Sequence, residues 1–227
     1  MGSNEHPDLF DTVNTPPIEL TAGARVLPGF ATQAVGNLLL LEIEEIFRQS
    51  PTRQMVTPGG RKMSVGMSNC GHFGWVSDSS GYRYSPIDPI SGLPWPAMPK
   101  HWLELAQEAA AVGGYDDFIP DACLINRYAV GARMGLHQDR DERNLNAPIV
   151  SISLGLEATF LFGGLKRSDR YRRIRLRHGD VVVWGGPSRL AFHGVAPLPA
   201  GSHPLTGPYR YNLTFREAGV RQPEDGE

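Results

Sequence analysis

The stretch 210-RYNLTFR-216 near the C-terminus decides how the fold of this chain is interpreted. Polar and apolar residues alternate strictly along it, so a β-strand directs every second side chain to the same face. On a half-buried surface strand, the polar residues would be ordinary solvated groups. On the last strand of a barrel they would face the interior, where an unpaired charge is costly and an anionic ligand is needed. The polar face carries Arg210, Asn212, Thr214 and Arg216.

A dicarboxylate suits the two arginines, because a planar guanidinium binds a carboxylate through two parallel hydrogen bonds. Asn126 and Tyr128 also lie two residues apart on one predicted strand, so they share a face and can donate hydrogen bonds to the same ligand. The sequence therefore predicts a buried diacid site at the mouth of a β-structure.

Short strand-like runs, separated by turns that contain glycine, begin at Ala122 and continue to the final strand. Many short strands at this spacing predict a sandwich, a barrel or a jelly roll. The predicted strands cover residues 124–128, 148–154, 159–162, 171–177, 180–184 and 209–216.

Two helices are predicted before these strands. Apolar residues recur at helical spacing from Thr32 to Gln49, and the following proline predicts the end of this helix. A second helix is predicted from near Pro99 to a pair of glycines at 113–114.

The remaining segments are predicted to be less regular. Residues 1–20 form a loose arm and the tail after Gly219 is frayed. Residues 51–97 are rich in glycine, proline, serine and aromatic residues, with one strand-like alternation at Met63, Val65 and Met67.

Composition indicates a globular protein. The chain has 227 residues, of which 41% are hydrophobic and 20% charged, so a wholly disordered chain is excluded. Two cysteines, Cys70 and Cys123, exclude a disulfide framework and fit a reducing compartment, although one bond between them stays open. No apolar run is long enough to span a membrane and no signal peptide is evident, so we expect a soluble, cytoplasmic protein.

A dense basic window interrupts a chain whose net charge is −2. Such a patch is a candidate phosphate footprint, but the solvated face of a hairpin explains the same run of charges. Its seven basic residues, with Asp169 as the one acid among them, are Lys166, Arg167, Arg170, Arg172, Arg173, Arg175 and Arg177.

Two histidines and an aspartate form the candidate metal set. His137 and Asp139 are two residues apart, so on a strand they point to the same face, and His193 follows several predicted strands later. This donor set leaves the other coordination positions open, as in non-haem Fe(II) enzymes. An H-x-D pair alone is more often surface or turn chemistry. The second such pair, 178–180, lies at a predicted turn, and we expect no metal there.

Four motifs occur together: Asn126-Arg127-Tyr128, His137-Gln138-Asp139-Arg140-Asp141, His193-Gly194 and the stretch 210–216. In combination they resemble the AlkB family of Fe(II)- and 2-oxoglutarate-dependent dioxygenases. The resemblance implies an α+β fold whose mainly β core is a double-stranded β-helix, or jelly roll, with flanking helices. It implies a single dioxygenase domain over residues 1–227. Residues 120–216 would be its catalytic core and residues 51–97 a nucleotide-recognition lid.

The resemblance also implies roles for the residues of these motifs. Iron would be bound by His137, Asp139 and His193. The residues expected around 2-oxoglutarate are Asn126, Tyr128, Arg210, Asn212, Thr214 and Arg216, with Arg210 at the distal carboxylate and Arg216 by the one nearest the metal.

The implied activity is repair of alkylated nucleic acid by oxidative demethylation of bases such as 1-methyladenine and 3-methylcytosine. The reaction would convert 2-oxoglutarate and O₂ to succinate and CO₂ and release formaldehyde. The expected partner is alkylated single- or double-stranded DNA, with RNA left open, and no membrane or obligate protein partner is expected.

A base in a duplex must be flipped out to reach such a centre. By resemblance, Trp75 stacks on the flipped base and Asp141 contacts its exocyclic amino group. From the residues alone, packing in a small core explains the aromatic residues equally well, and a solvated loop explains Asp141. The remaining substrate residues implied are Tyr82, Arg83, Tyr84 and Arg167.

Two alternatives remain open at this stage. One is a 2-oxoglutarate-dependent hydroxylase that acts on a protein or a small molecule with the same iron core. The other is a non-catalytic jelly-roll binding module, for which the two arginines beside a metal set would have no purpose.

Overall fold

Antiparallel strands are the main regular elements of the computed structural model, which describes residues 15–219. In chain order the elements are β1 (Ile18–Thr21), β2 (Ala24–Leu27), α1 (Gln33–Gln49), β3 (Gly66–Gly71), β4 (Gly74–Asp78), β5 (Gly81–Ser85), α2 (Lys100–Gly113), β6 (Ala122–Tyr128), β7 (Met134–His137), β8 (Ile149–Gly155), β9 (Ala158–Phe162), β10 (Arg172–Leu176), β11 (Val181–Trp184), a 3₁₀ turn (Gly186–Ser188), β12 (His193–Val195) and β13 (Arg210–Arg216).

The strands make two sheets and a separate hairpin. The larger sheet has the order β1-β2-β11-β8-β13-β6-β3, the smaller has β10-β9-β12-β7, and β4 pairs with β5. Apolar side chains from both sheets share one core, with Ile149 and Trp184 from the larger sheet and Phe160 and Phe162 from the smaller. This arrangement confirms the predicted α+β fold with a jelly-roll core.

Strand β13 lies in the middle of the larger sheet, between β8 and β6, and all of its residues are buried. Leu213 and Phe215 face outward from the jelly roll into a second core, which the two helices cover. Arg210 and Arg216 face the interior, where they line a cavity with residues of the smaller sheet. The alternation in 210–216 therefore separates two buried faces of β13. The polar face lines the interior cavity and the apolar face packs into the helix-covered core, so neither face is exposed to water.

Both predicted helices are confirmed, and local chemistry explains their ends. The Oγ1 atom of Thr32 accepts a hydrogen bond from the backbone N–H of Val35 at 3.4 Å, which satisfies one otherwise unpaired donor of the first turn of α1. Helix α2 ends at Gly114, whose φ of 96° lies in the left-handed region that favours glycine.

The predicted loose arm is wrong where the structure describes it. Residues 18–21 form β1, which pairs with β2 at the edge of the larger sheet. This four-residue strand is mostly exposed, and its order comes from pairing rather than from its own apolar pattern. Residues 1–14 of the arm, and the predicted frayed tail beyond residue 219, lie outside the described residues.

Residues 51–97 are more regular than the sequence predicts. Strand β3 begins only at Gly66, so the alternation from Met63 lies largely before it, and the hairpin β4–β5 was not predicted. Asn69 holds this hairpin to the larger sheet through two side-chain hydrogen bonds with the backbone of Trp75, both 3.0 Å.

Neither α-helix between residues 15 and 219 has both the length and the apolar character needed to cross a membrane. Cys70 and Cys123 face each other across β3 and β6 as buried, free thiols.

Candidate active site

Strand register brings the two candidate histidines together. His193 on β12 is the direct antiparallel partner of His137 on β7, and their ring centroids are 4.4 Å apart. A one-residue slip would turn one imidazole to the opposite face of the sheet, because side chains alternate along a strand.

Asp139 completes the group, although not in the way the H-x-D spacing suggests. Strand β7 ends at His137, and Asp139 lies in the following loop rather than on the same strand face. Its Oδ1 atom is 3.5 Å from His137 Nε2 and its Oδ2 atom is 3.6 Å from His193 Nε2. Among the described residues, these three are the one set of His, Cys, Asp or Glu placed to share a metal ion.

Both imidazoles are oriented as metal ligands. His137 Nδ1 is 2.9 Å from the carbonyl oxygen of Gly135, and His193 Nδ1 is 3.0 Å from that of Ala191. A carbonyl oxygen only accepts hydrogen bonds, so each Nδ1 carries a proton and each Nε2 is the atom that faces Asp139 and that a metal ion would bind. The donor set and its orientation fit Fe(II) with open coordination positions.

Electrostatics keep the aspartate ionised. Burial alone would raise the pKa of Asp139, yet Arg216 and His193 hold it well below its usual range. Arg216 donates to Asp139 Oδ2 from Nε at 3.0 Å and from Nη2 at 2.6 Å. Burial would lower the pKa of Arg216, but the charges of Asp139 and Glu142 outweigh it and raise that pKa.

Arg210 is a buried cation whose partners in the described chain are neutral. It is 1% exposed, Nη2 donates to Ser153 Oγ at 3.0 Å, and the guanidinium lies 5.0 Å from the ring centroid of Tyr128. Its Nε and Nη1 atoms have no hydrogen-bond partner among the described residues. Burial lowers the pKa of Arg210, and Tyr128 offsets this only in part. Two unused donors on a buried cation fit the distal carboxylate of 2-oxoglutarate.

The other predicted 2-oxoglutarate residues line the same small cavity as Arg210. The carbonyl oxygen of the Asn126 side chain also lacks a partner among the described residues. Asn212 and Thr214 are bonded to the protein itself, because Asn212 donates to Ser151 Oγ at 2.7 Å and accepts from Thr214 at 2.9 Å. These two residues shape the cavity wall more than they offer open hydrogen-bonding sites.

We call His137, Asp139 and His193 the metal group. A larger cavity of about 380 Å³ opens beside it, and His137, Asp139 and Arg216 are among the residues that line this cavity. Trp75 from β4 lies on its wall, where Nε1 donates to Asp141 Oδ2 at 2.9 Å. Tyr82 stacks on Trp75 with ring centroids 5.7 Å apart and an angle of 13° between the planes. The structure thus brings a predicted base-stacking residue and a predicted base-contacting carboxylate to one cavity.

Two of the predicted substrate residues, Arg167 and Arg83, differ in whether they line this cavity. Arg167 lines the larger cavity, where Nη1 donates to the carbonyl oxygen of Leu136 at 2.6 Å. Arg83 is not among the residues that line it. It alternates with Tyr82 and Tyr84 along β5 and pairs instead with Asp78 at 2.8 Å.

A buried charge network, which was not predicted from the sequence, lies behind the metal group. Glu142 accepts from Tyr84 at 2.8 Å and from Arg189 at 3.1 Å, and its other contact is Arg216 Nε at 3.2 Å. Arg189 also donates to the backbone carbonyl of Asp139 at 2.7 Å. No local pattern could have revealed this network, since its members come from distant segments.

The jelly roll, the two-histidine-one-aspartate group and the buried arginines define the class of protein, a non-haem iron oxygenase that uses a 2-oxo acid. The model of the 2OG-Fe(II) oxygenase superfamily matches residues 23–216. In a comparison of solved structures, OsALKBH1 has a TM-score of 0.78 and 28% identity, covering 89% of this chain and 100% of that one.

Curated relatives narrow the assignment. The chain is 59% identical over 215 residues to the alpha-ketoglutarate-dependent dioxygenase AlkB of Escherichia coli, covering 95% of this chain and 99% of that protein. It is 32% identical to the human nucleic acid dioxygenase ALKBH1, covering 57% of this chain and 32% of that protein. The chain belongs to the AlkB family and is an Fe(II)- and 2-oxoglutarate-dependent dioxygenase.

Proposed function

We propose that this enzyme reverses alkylation damage in nucleic acid by oxidative demethylation of N-alkylated bases such as 1-methyladenine and 3-methylcytosine. The main support for this proposal is the larger cavity. Its lining brings together an aromatic surface, a carboxylate and residues of the metal group. The family members that are named dioxygenases of nucleic acids support the same substrate class.

When bound, Fe(II) together with 2-oxoglutarate and O₂ would supply the oxidation of the N-methyl carbon, which would be released as formaldehyde while 2-oxoglutarate would be converted to succinate and CO₂. His137, Asp139 and His193 hold the metal in this proposal. Arg210 binds the distal carboxylate of 2-oxoglutarate, and Arg216, already beside Asp139, lies by the carboxylate nearest the metal. Asn126, Tyr128, Asn212 and Thr214 complete the cosubstrate site.

The damaged base enters the larger cavity after it leaves the helical stack. Trp75, which lines this cavity, supplies the aromatic surface on which the base stacks. Asp141 accepts from the exocyclic amino group and favours the positive charge of 1-methyladenine and 3-methylcytosine over neutral bases. Residues 51–97 act as a lid over the bound nucleic-acid strand. Tyr82, Arg83 and Tyr84 of this lid line the path of that strand.

DNA, single- or double-stranded, is the proposed partner, and RNA is a second polymer of the same chemistry. We also infer a cytoplasmic location for the protein, which the two free, buried thiols support because unpaired cysteines are usual in reducing compartments. Residues 1–227 are proposed to form one dioxygenase domain.

The test is turnover of a single-stranded oligonucleotide that carries one 1-methyladenine, with Fe(II), 2-oxoglutarate and air. We expect formaldehyde and succinate in equal amounts, and neither product above background from Asp139→Ala. Succinate without formaldehyde would point to a protein or small-molecule hydroxylase instead. Absence of both products from the wild-type enzyme would leave only a binding role.

A further inference from the structure

Apart from Arg167, the basic residues between Lys166 and Arg177 divide into two groups that differ in their contacts within the protein. Arg175 and Arg177 on and after β10 both pair with Glu157, at 3.3 and 3.4 Å. Arg172 donates to the carbonyl oxygen of Leu20 at 2.5 Å and so ties β10 to β1. These three arginines serve contacts within the protein.

The second group consists of Lys166, Arg170 and Arg173. Their side chains are exposed and have neither a hydrogen bond nor an ion pair between residues 15 and 219. The nearby acid, Asp169, makes no ion pair with these three side chains, and its Oδ2 accepts instead from the backbone N–H of Lys166 at 3.0 Å. The carboxylate therefore holds the shape of the β9–β10 turn and leaves its cations available.

This turn lies at the same end of the smaller sheet as the metal group. Arg172 pairs with Phe162, Phe162 pairs with His193, and His193 pairs with His137, so all four lie on one rung of the sheet. Three strand spacings place the start of β10 about 14 Å from the strand that carries His137.

Arg167 connects the turn to the cavity. From the β9–β10 turn it reaches the backbone of Leu136 on β7, and its guanidinium lies 4.9 Å from the ring centroid of Phe192. Arg167 and Phe192 both line the larger cavity. Arg167 therefore joins the turn that also carries Lys166 and Arg170 to the wall of the cavity.

We propose that Lys166, Arg170 and Arg173 form a phosphate-binding surface for the backbone of the strand that carries the damaged base. This inference rests on the proposed function. Phosphate is the matching chemistry, because exposed lysine and arginine side chains neutralise backbone charges and release counterions. A chain of net charge −2 offers no overall attraction to a polyanion, so a local cationic surface has to supply it.

Edge protection is the competing explanation. Strand β10 is the outer strand of the smaller sheet, and charged residues on such strands prevent pairing with other chains. That explanation treats Arg173 and Arg175 alike, since both project from the outer face of β10. The phosphate-binding surface does not, because only Arg175 has an acidic partner.

The experiment compares two double variants of equal charge. Arg170→Ser with Arg173→Ser removes two cations of the proposed surface, whereas Arg175→Ser with Arg177→Ser removes the two that pair with Glu157. Affinity for a single-stranded 15-mer with one 1-methyladenine is measured by fluorescence anisotropy. The full chain is loaded anaerobically with Fe(II) and 2-oxoglutarate, between 50 and 200 mM salt.

We expect the first variant to bind about tenfold more weakly at 50 mM salt, and its slope of log affinity against log salt to be smaller by about 1.4, or ~0.7 per lost contact. The second variant should stay within about twofold of wild type. Equal losses in both variants would reduce the effect to net charge, and no loss in either would leave edge protection; each result overturns the inference. Failure of the proposed function is distinguishable, since it appears as no formaldehyde from the wild-type enzyme.

Discussion

Arg210 and Arg216 lie on the same strand and are both buried, but their charges are compensated in different ways. Arg216 has a carboxylate partner in Asp139 at 2.6 Å, so its charge is compensated within the protein. Arg210 has a hydroxyl and an aromatic ring beside it, and two of its donors are unused among the described residues. A buried charge left in this state reduces stability, and a ligand anion restores the balance.

Arg210→Met is therefore expected to separate stability from cosubstrate binding. The cofactor-free variant should unfold at a higher temperature than wild type, by the equivalent of about 1 kcal/mol or more, because an uncompensated buried charge is replaced by an apolar chain of similar length. Its affinity for 2-oxoglutarate should fall by at least about 100-fold.

Thermal melts of the free protein, together with calorimetric titration of 2-oxoglutarate in the presence of Mn(II), measure both effects. A variant that melts lower and still binds 2-oxoglutarate as wild type does would contradict the assigned role of Arg210.

We expect the surroundings of His178 to make the stability of the folded protein depend on pH. Its Nδ1 accepts from the backbone N–H of Gly155 at 3.0 Å, its Nε2 is buried without a partner among the described residues, and its ring stacks 4.9 Å from that of His203. Burial lowers the pKa of His178, and the charge of His203 lowers it further. The unfolded chain therefore binds a proton at higher pH than the folded chain does.

Stability should fall as the pH drops below about 6.5, the usual pKa of histidine, because protonation then favours the unfolded state. In His178→Asn this part of the pH dependence should disappear, since the Oδ1 atom of asparagine takes the place of Nδ1 as hydrogen-bond acceptor and the amide does not titrate. Urea unfolding between pH 8 and pH 5 measures it, and identical slopes for the two proteins would rule the explanation out.

At the scale of elements, the pairing of β7 with β12 builds the metal group. The register shifts between His193 and Val195, and Gly194 lies in this irregular step. A Cβ atom on Gly194 would be 2.7 Å from the carbonyl oxygen of Met134 and 3.1 Å from that of Gly135. Since both are backbone atoms, a side chain at residue 194 would force the two strands apart.

Gly194→Ala should therefore weaken metal binding by about tenfold or more while the secondary structure is kept, because small displacements of metal ligands are costly. The matched control is Gly59→Ala, since nothing lies within 4 Å of a Cβ atom at that position. Titration with Co(II), followed by its visible absorption, reports the affinity. Wild-type Co(II) affinity in Gly194→Ala would show that the close approach of β7 and β12 does not position the ligands.

At the scale of the whole molecule, one buried network joins segments that are far apart in the chain. Tyr84 comes from the β4–β5 hairpin, Glu142 and Asp139 from the loop after β7, Arg189 from the position directly after the 3₁₀ turn, and Arg216 from β13. Burial raises the pKa of Tyr84, so its hydroxyl stays protonated and donates to Glu142. The proposed lid is thus bonded to the group that positions the metal ligand.

Arg189→Met should destabilise the protein by about 3 kcal/mol, because it leaves Glu142 as a buried charge with one cation fewer. Adding Glu142→Gln should recover part of this loss, since the unpaired carboxylate is then neutral. Chemical unfolding of wild type, both single variants and the double variant gives the coupling energy, and strict additivity would mean that the two residues act independently.

The helices, the strand-rich core and the types of residue at the site could be predicted from the sequence, because periodicity and side-chain chemistry are local properties. Spacing made His137, Asp139 and His193 a candidate metal set and showed the alternation of 210–216, whereas the iron-binding role of that set and the roles of Trp75 and Arg167 required the family resemblance.

Which atoms come into contact could be seen only in the folded chain. The register that places His193 opposite His137, the order of β1 and of the β4–β5 hairpin, and the contacts of Arg189 all depend on pairing between distant segments. Such pairing depends on burial and hydrogen bonds across the whole fold, and no local pattern along the chain records it.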